Sequence, residues 1–279
     1  MFRSFSLNIK GELRVYDRPQ VMGIVNVTPD SFFEGSRTMS ETEIARRIEK
    51  HIAAGADFID MGAYSSRPGA DDVPEEIETE RLRTGMKILR AVDRSIPVSI
   101  DTFRAAVARV AVEEFGADMV NDISGGNLDD RMFETVAALG VPYILMHMRG
   151  TPSTMQALTD YDDVTADVVA DLSRKLRELR LHGVADVIVD PGFGFSKTTE
   201  QNFEMMRNLD GFAALGCPLL VGISRKSMIT RTLGVSSAEA LAGTVALDAF
   251  ALMKGAAFLR VHDVLEAVQT VKLFELTTD

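Results

Sequence analysis

Asp101, Asn121 and Asp190 each close a short apolar run, as do Asn26, His147, Arg260 and the stretch Ser224-Arg225-Lys226. A carboxylate taken out of water costs roughly several kcal/mol unless it is paired or hydrogen-bonded. Carboxylate and amide oxygens gathered at such ends suit the edge of a ring that presents adjacent N–H and NH2 donors. The alternative for each residue is N-capping of the helix that follows, and Asp101-Thr102 has the form for it. Asn26 serves either as a turn residue or, through its amide oxygen, as a ligand of a hard cation such as Mg²⁺, which takes one or two protein oxygens and leaves the rest to water and phosphate.

Other stretches carry cations and hydroxyls. Ser65-Ser66-Arg67-Pro68-Gly69 is either a polar surface loop or a grip on carboxylate or phosphate, which Arg67 can hold with two parallel hydrogen bonds. Lys226 either forms a Schiff base or donates to an anionic or carbonyl oxygen. Arg260 and His262 fall on one face of the last apolar run, a position that often holds phosphate in barrels. Asp190-Pro191-Gly192-Phe193-Gly194-Phe195 displays Phe195 on a glycine-rich loop, either to stack on a flat ligand or to pack beneath the loop. His51 and His182 fall on expected helices and read as solvated or structural, and His147 is left open. No two histidines have metal-ligand spacing, which argues against a zinc enzyme. The 14 methionines read as core filling.

The elements that must position these residues recur regularly. Eight apolar runs begin at 21, 57, 97, 117, 142, 186, 218 and 256. Their polar ends are spaced by roughly 33 residues, the size of a strand-plus-helix unit. Runs this short and apolar fit parallel strands buried on both faces. Eight of them predict a (β/α)8 barrel with its active site at the strands' C-terminal ends, where the polar residues sit. Ser40-Glu41-Thr42-Glu43 reads as a capping box ahead of Ile44, Ile48 and Ile52, closed by Gly55. Further helical stripes are Val107-Val110-Ala111, Val164 to Leu179, Leu241-Val245-Leu252 behind a Ser236–Glu239 cap, and Val264-Val268-Val271. Residues 5–16 predict a hairpin around Lys10-Gly11-Glu12 that plugs the barrel bottom. The long connections 27–40, 63–75 and 148–163 all follow strand ends, where barrel loops cover the site.

Bulk properties bound the function. The 279 residues are expected to form a single barrel domain, 1–279. A net charge of −11 argues against nucleic acid. Arg67, Arg225, Lys226, Arg260 and His262 would make a positive mouth on an acidic body, suited to a small anion. No apolar run approaches the ~20 residues that span a bilayer, and the N-terminal residues show no secretion signal. The single cysteine, Cys217, cannot form an internal disulfide and fits a reducing cytoplasm.

In order along the chain, the motifs Asn26-Val27-Thr28-Pro29-Asp30-Ser31-Phe32, Ser65-Ser66-Arg67-Pro68-Gly69, Ser99-Ile100-Asp101-Thr102, Asn121-Asp122-Ile123-Ser124-Gly125, Met146-His147-Met148-Arg149-Gly150, Asp190 to Phe195, Ser224-Arg225-Lys226-Ser227 and Arg260-Val261-His262-Asp263-Val264 resemble the dihydropteroate synthase family. That family joins p-aminobenzoate to the pyrophosphate ester of a hydroxymethyl-dihydropterin in folate synthesis. The resemblance implies a pterin site of Asp101, Asn121, Met146, Asp190, Phe195 and Lys226. It implies a pyrophosphate site of Asn26, Ser66, Arg67, Arg260 and His262, with Mg²⁺ on Asn26. It implies a p-aminobenzoate site of Phe33, Ser66, Arg67, Pro68, Phe195 and Ser227. Lys226, Asp101 and Asp190 would act in an SN1-like displacement, with Asp30 ordering the second site. Small-molecule substrates and a homodimer are implied as well. Two loops depart from the family pattern, at Tyr64 and Ser66 and at Glu34-Gly35-Ser36. A barrel methyltransferase using methyl-tetrahydrofolate and a corrinoid, a non-catalytic pterin-binding paralogue and a Schiff-base aldolase using Lys226 are the rival readings.

Overall fold

The computed structural model describes residues 2–27, 41–65 and 72–277. Strands β1 (Phe5–Ile9) and β2 (Glu12–Tyr16) pair antiparallel, with Ile9 opposite Glu12. Lys10 (φ 54°) and Gly11 (φ 81°) form the two-residue connection in the left-handed region, as a twisted hairpin requires.

Eight parallel strands follow: β3 (Gln20–Asn26), β4 (Phe58–Gly62), β5 (Val98–Asp101), β6 (Met119–Asp122), β7 (Tyr143–Met146), β8 (Val187–Asp190), β9 (Leu220–Val221) and β10 (Phe258–Val261). They lie in the order β8-β7-β6-β5-β4-β3-β10-β9. A parallel bridge between Val189 and Leu219 joins the two outer strands and closes the barrel. Each strand coincides with one predicted apolar run, although β9 has only two residues of regular pairing.

Helices α1 (Glu41–Ala53), α2 (Glu75–Val92), α3 (Ala105–Glu113), α4 (Met132–Leu139), α5 (Val164–Leu181), α6 (Thr199–Arg207), α7 (Ser227–Leu233), α8 (Leu241–Met253) and α9 (Val264–Glu275) surround them. Ile44 and Ile48 of α1 are buried as the predicted stripe requires, whereas Ser40 lies outside the described residues. The Ser236–Glu239 cap is corrected. Ser236 does donate to Glu239 Oε2 at 2.7 Å, but these residues form a separate turn and α8 starts at Leu241 behind Ala240. No helix among the described residues is long and apolar enough to cross a membrane.

Strand pleating sets what faces the axis. Phe58, Met119, Ile144, Ile188, Leu220 and Phe258 point inward at the bottom, where Leu7 and Ile9 of the hairpin close the cluster. The hairpin is tied down by Asn8 N–H donating to Asp186 Oδ2 (3.1 Å) and by Lys10 paired with Asp118 (2.9 Å). Alternate residues such as Ile59, Met61, Val120, Val189 and Leu259 face the helices. Two residues beyond the inward apolar ring, the same strands present Asp60, Asn121, Met146, Asp190 and Arg260. The barrel is therefore apolar below and polar immediately above.

Candidate active site in the barrel mouth

The polar layer is held together by few bonds. Asn121 Nδ2 donates to Asp60 Oδ2 at 2.9 Å. Arg260 lies beneath the mouth with Nη1 3.4 Å from Asp60 Oδ2 and Nη2 3.6 Å from Asp190 Oδ2. Gly222 makes room for it, since a methyl there would lie 3.2 Å from Nη2 and 3.3 Å from Nε. Asp190 Oδ1 accepts from the Gly192 N–H at 2.8 Å. Among the described residues, Asp60 Oδ1, Asn121 Oδ1 and Asp190 Oδ2 are buried and accept no hydrogen bond. Because Asp60 takes the amide NH2 of Asn121, the oxygen is the atom that Asn121 offers to the mouth.

The helix-capping alternatives do not hold for these strand ends. The N-terminus of α3 receives Asp129 Oδ2 on Ala105 N (2.8 Å), which leaves Asp101 free of that duty. Thr198 caps α6 with a reciprocal Gln201 bond, so Asp190 is not its cap. Asn121 precedes α4 by a turn that its neighbour Asp122 organises, accepting from Ser124 N (2.7 Å), Gly126 N (2.8 Å) and Tyr143 OH (2.7 Å).

Electrostatics follow from burial. Burial, with Asp60 close by, pushes Asp101 up to about 8. The same desolvation raises Asp60. Burial pulls Lys226 down to about 7, and the nearby Arg260 adds to the shift. Lys226 Nζ donates to Phe193 O and lies 4.8 Å from the centre of the Phe195 ring. Phe195 itself is 8% exposed and packs with Ile123, Met146, Met148 and Met155. It forms an apolar wall beside the polar floor and is not displayed on the surface. Ser227 is exposed at the first turn of α7.

The remaining predicted anion residues fall in different places. Arg260 is inside the barrel, not on its rim. His262 is half-buried, with Ser224 Oγ 3.2 Å from both its backbone nitrogen and Nδ1. Burial pulls it down to about 4, so it is neutral at pH 7 and adds no charge to the mouth. Arg225 turns away: Nε and Nη2 bind Asp263 at 2.7 and 2.9 Å, and Nη1 binds Ser237 O and Ala238 O at 2.6 and 2.7 Å. A methyl on Gly62 would lie 3.4 Å from Asp101 Oδ2 and 3.5 Å from Asn26 Oδ1, so both oxygens flank β4 at Gly62. Asp30, Phe33, Ser66, Arg67 and Pro68 lie outside the described residues.

Sequence reasoning missed Asp60. It sits inside an apolar run instead of at its end, and the available signal was a carboxylate on the inward parity of a strand, two residues after inward-facing Phe58. The left-open His147 is structural, buried, with Nδ1 accepting from Lys197 at 3.0 Å. His51 is buried too, with Nε2 3.0 Å from Ile24 O.

A family model described as "Pterin binding enzyme" matches residues 22–262. The dihydropteroate synthase of Clostridium beijerinckii is 41% identical over 268 residues, which cover 95% of this chain and 96% of that protein. The structure of Xanthomonas albilineans dihydropteroate synthase with 4-aminobenzoic acid superposes with a TM-score of 0.90 at 37% identity, covering 99% of this chain and 98% of that one. That of the Yersinia pestis enzyme with a sulfonamide drug gives 0.89 at 36% identity, covering 98% of each. With this match along nearly its whole length, and with a polar-floored barrel mouth in the matched region, the chain belongs to the dihydropteroate synthase family.

Proposed function

We propose that this chain joins p-aminobenzoate to 6-hydroxymethyl-7,8-dihydropterin pyrophosphate, giving 7,8-dihydropteroate and pyrophosphate. The observation that carries this reading is the set of three buried, open acceptors, Asp60 Oδ1, Asn121 Oδ1 and Asp190 Oδ2. Each buried acceptor left unpaired costs about 1–3 kcal/mol, which a donor-rich ring edge recovers. The pterin's 2-amino group and ring N–H are such donors. Lys226 and the protonated Asp101 supply donors for its carbonyl and ring nitrogens. Met146 and Phe195 wall the flat ring.

The chemistry asks little proton transfer of the protein. The dihydropterin ring shares positive charge as the C–O bond to pyrophosphate breaks, and the oxygen leaves with the electron pair. The arylamine nitrogen then bonds to the methylene and loses its proton to solvent. Being unprotonated at neutral pH, it needs no strong base. The residues orient the ring and keep cationic groups near the departing anion. In this reading Arg260 supplies its charge from within the barrel, the neutral His262 and Ser224 border that end, and the loop residues Ser66 and Arg67 complete it. Asn26 would offer its amide oxygen, a hard donor that fits Mg²⁺, an ion that takes few protein ligands. When bound, the ion neutralises the leaving group's charge. Phe33, Pro68, Phe195 and Ser227 shape the p-aminobenzoate site, and Asp30 orders it.

The same reading places the chain in the cytoplasm as a homodimer. Helix α8 carries one charged residue in its 13, and Phe250, Met253, Leu265, Leu273 and Leu276 are exposed on α8, α9 and the turn after it. A second copy would cover that apolar face. Sedimentation at micromolar concentration should give twice the 30.5 kDa chain mass. The enzymatic reading is tested by pyrophosphate release from the two substrates together. Release with both substrates present should be accompanied by 7,8-dihydropteroate and stop on chelation, with Mg²⁺ restoring it. No release with both substrates and Mg²⁺ would reject the reading, and full release in excess chelator would remove the metal.

A further inference from the structure

Lys197, in the loop between β8 and α6, is 4% exposed and lies outside the residues assigned to substrate. Its Nζ sits 3.0 Å from each of three acceptors, His147 Nδ1, Gly192 O and Phe195 O. Three acceptors saturate an ammonium. Taking that charge out of water is costly, and packing alone would be served by an apolar side chain.

What the three bonds hold is informative. The Gly192 residue is gripped at both ends: its C=O accepts from Lys197, and its N–H donates to Asp190 Oδ1 at 2.8 Å. Gly192 has φ +72°, and a methyl there would lie 2.0 Å from His147 O, so this backbone has one way to sit. Asp190, pinned through Oδ1, turns Oδ2 to the barrel axis. The second bond fixes the carbonyl of Phe195, whose ring lies 4.8 Å from Lys226 Nζ. Lys226 meanwhile takes the carbonyl of Phe193, between the two that Lys197 holds. Two lysines thus grip one loop, Lys226 through the Phe193 carbonyl and Lys197 through those of Gly192 and Phe195.

We propose that Lys197 is a positioning residue of the pterin site, aiming Asp190 through Gly192 and setting the Phe195 ring through its carbonyl without touching substrate. The proposal rests on the pterin-site reading above. It predicts energetic coupling between Lys197 and Asp190, which a general loss of stability would not produce.

The test is a calorimetric cycle on the full chain, titrated with 6-hydroxymethylpterin, for wild type, Lys197→Met, Asp190→Asn and the double variant. Thermal unfolding of each variant reports folding separately. Lys197→Met should weaken pterin about 30-fold and Asp190→Asn about 100-fold, and the double variant should be within about threefold of Asp190→Asn. Multiplicative losses in the double variant, or wild-type affinity in folded Lys197→Met, would overturn the proposal. Should Lys197→Met fail to fold, Lys197→Gln enters the same cycle, its amide keeping part of the donor set. A silent titration of wild type would instead reject the pterin reading itself.

Discussion

Arg225 follows one barrel strand, β9, and Arg260 lies within the next, β10; each meets carboxylates, yet their hydrogen bonds differ in kind. Arg225 closes four short bonds, two to Asp263 and two to the carbonyls of Ser237 and Ala238. Arg260 reaches Asp60 and Asp190 only at 3.4 and 3.6 Å. The carboxylates repeat the contrast: Asp122 has both oxygens filled by Ser124, Gly126 and Tyr143, whereas Asp190 has one oxygen filled and one open. The rim is a saturated network that fixes the loops. The barrel floor is an unsaturated one that a ligand completes. Residue type does not separate the two regions; the bonds left unmade do.

The largest expected effect comes from altering an open acceptor. Asp190→Asn should weaken pterin binding about 100-fold, roughly 2–3 kcal/mol, while the melting temperature stays close to that of wild type. Calorimetry beside thermal unfolding checks it, and unchanged pterin affinity would break the contrast at its centre. The rim should give the reverse pattern. Arg225→Met strands Asp263 and two carbonyls, and is expected to cost about 2–3 kcal/mol of unfolding free energy while changing pterin affinity less than about threefold. Urea denaturation with the same titration measures both.

Asp248 sharpens the comparison because it is open without facing the mouth's polar layer. It is buried on α8 with Oδ1 unpaired, and burial pushes its carboxyl up to about 8. Its contribution to stability is intact below the ordinary aspartate value near 4 and is lost as pH rises toward 8, since the unfolded chain releases the proton first. Asp248→Asn should therefore gain on wild type as pH increases from 5 to 8, by up to about 3–4 kcal/mol, with pterin affinity unchanged. Denaturant midpoints at several pH values test this, and a pH-independent difference would rule it out. An open buried acceptor costs stability wherever it lies, and becomes a site only where a ligand can reach it.

Much of this was legible in the chain. Eight apolar runs of buried-strand length became β3 to β10, and Leu7 and Ile9 closed the barrel bottom as the hairpin alternation required. Asp101, Asn121 and Asp190 stood at run ends and did reach one mouth. Less was legible where a residue's partners come from far along the chain. Asp60 hid inside a run, yet it meets Asn121 and Arg260, 61 and 200 residues away. The Ser236–Glu239 motif made its local bonds but formed a turn, because α8 begins later, at Leu241.

The sequence by itself determined the barrel, the ends of its strands and the family's chemistry, because hydrophobic period and short motifs are local properties of the chain. Only the tertiary structure decided which polar groups are spent and which are free. Arg225 and Lys226 are neighbours, and nothing in their spacing says that Arg225 binds Asp263 and the carbonyls of Ser237 and Ala238 while Lys226 takes the carbonyl of Phe193 and Lys197 those of Gly192 and Phe195. That choice depends on carbonyls and carboxylates carried in by other strands, and on burial that draws both Lys197 and Lys226 to about 7. Hydrogen-bond saturation is a property of the assembled neighbourhood, and it exists only once the barrel has closed.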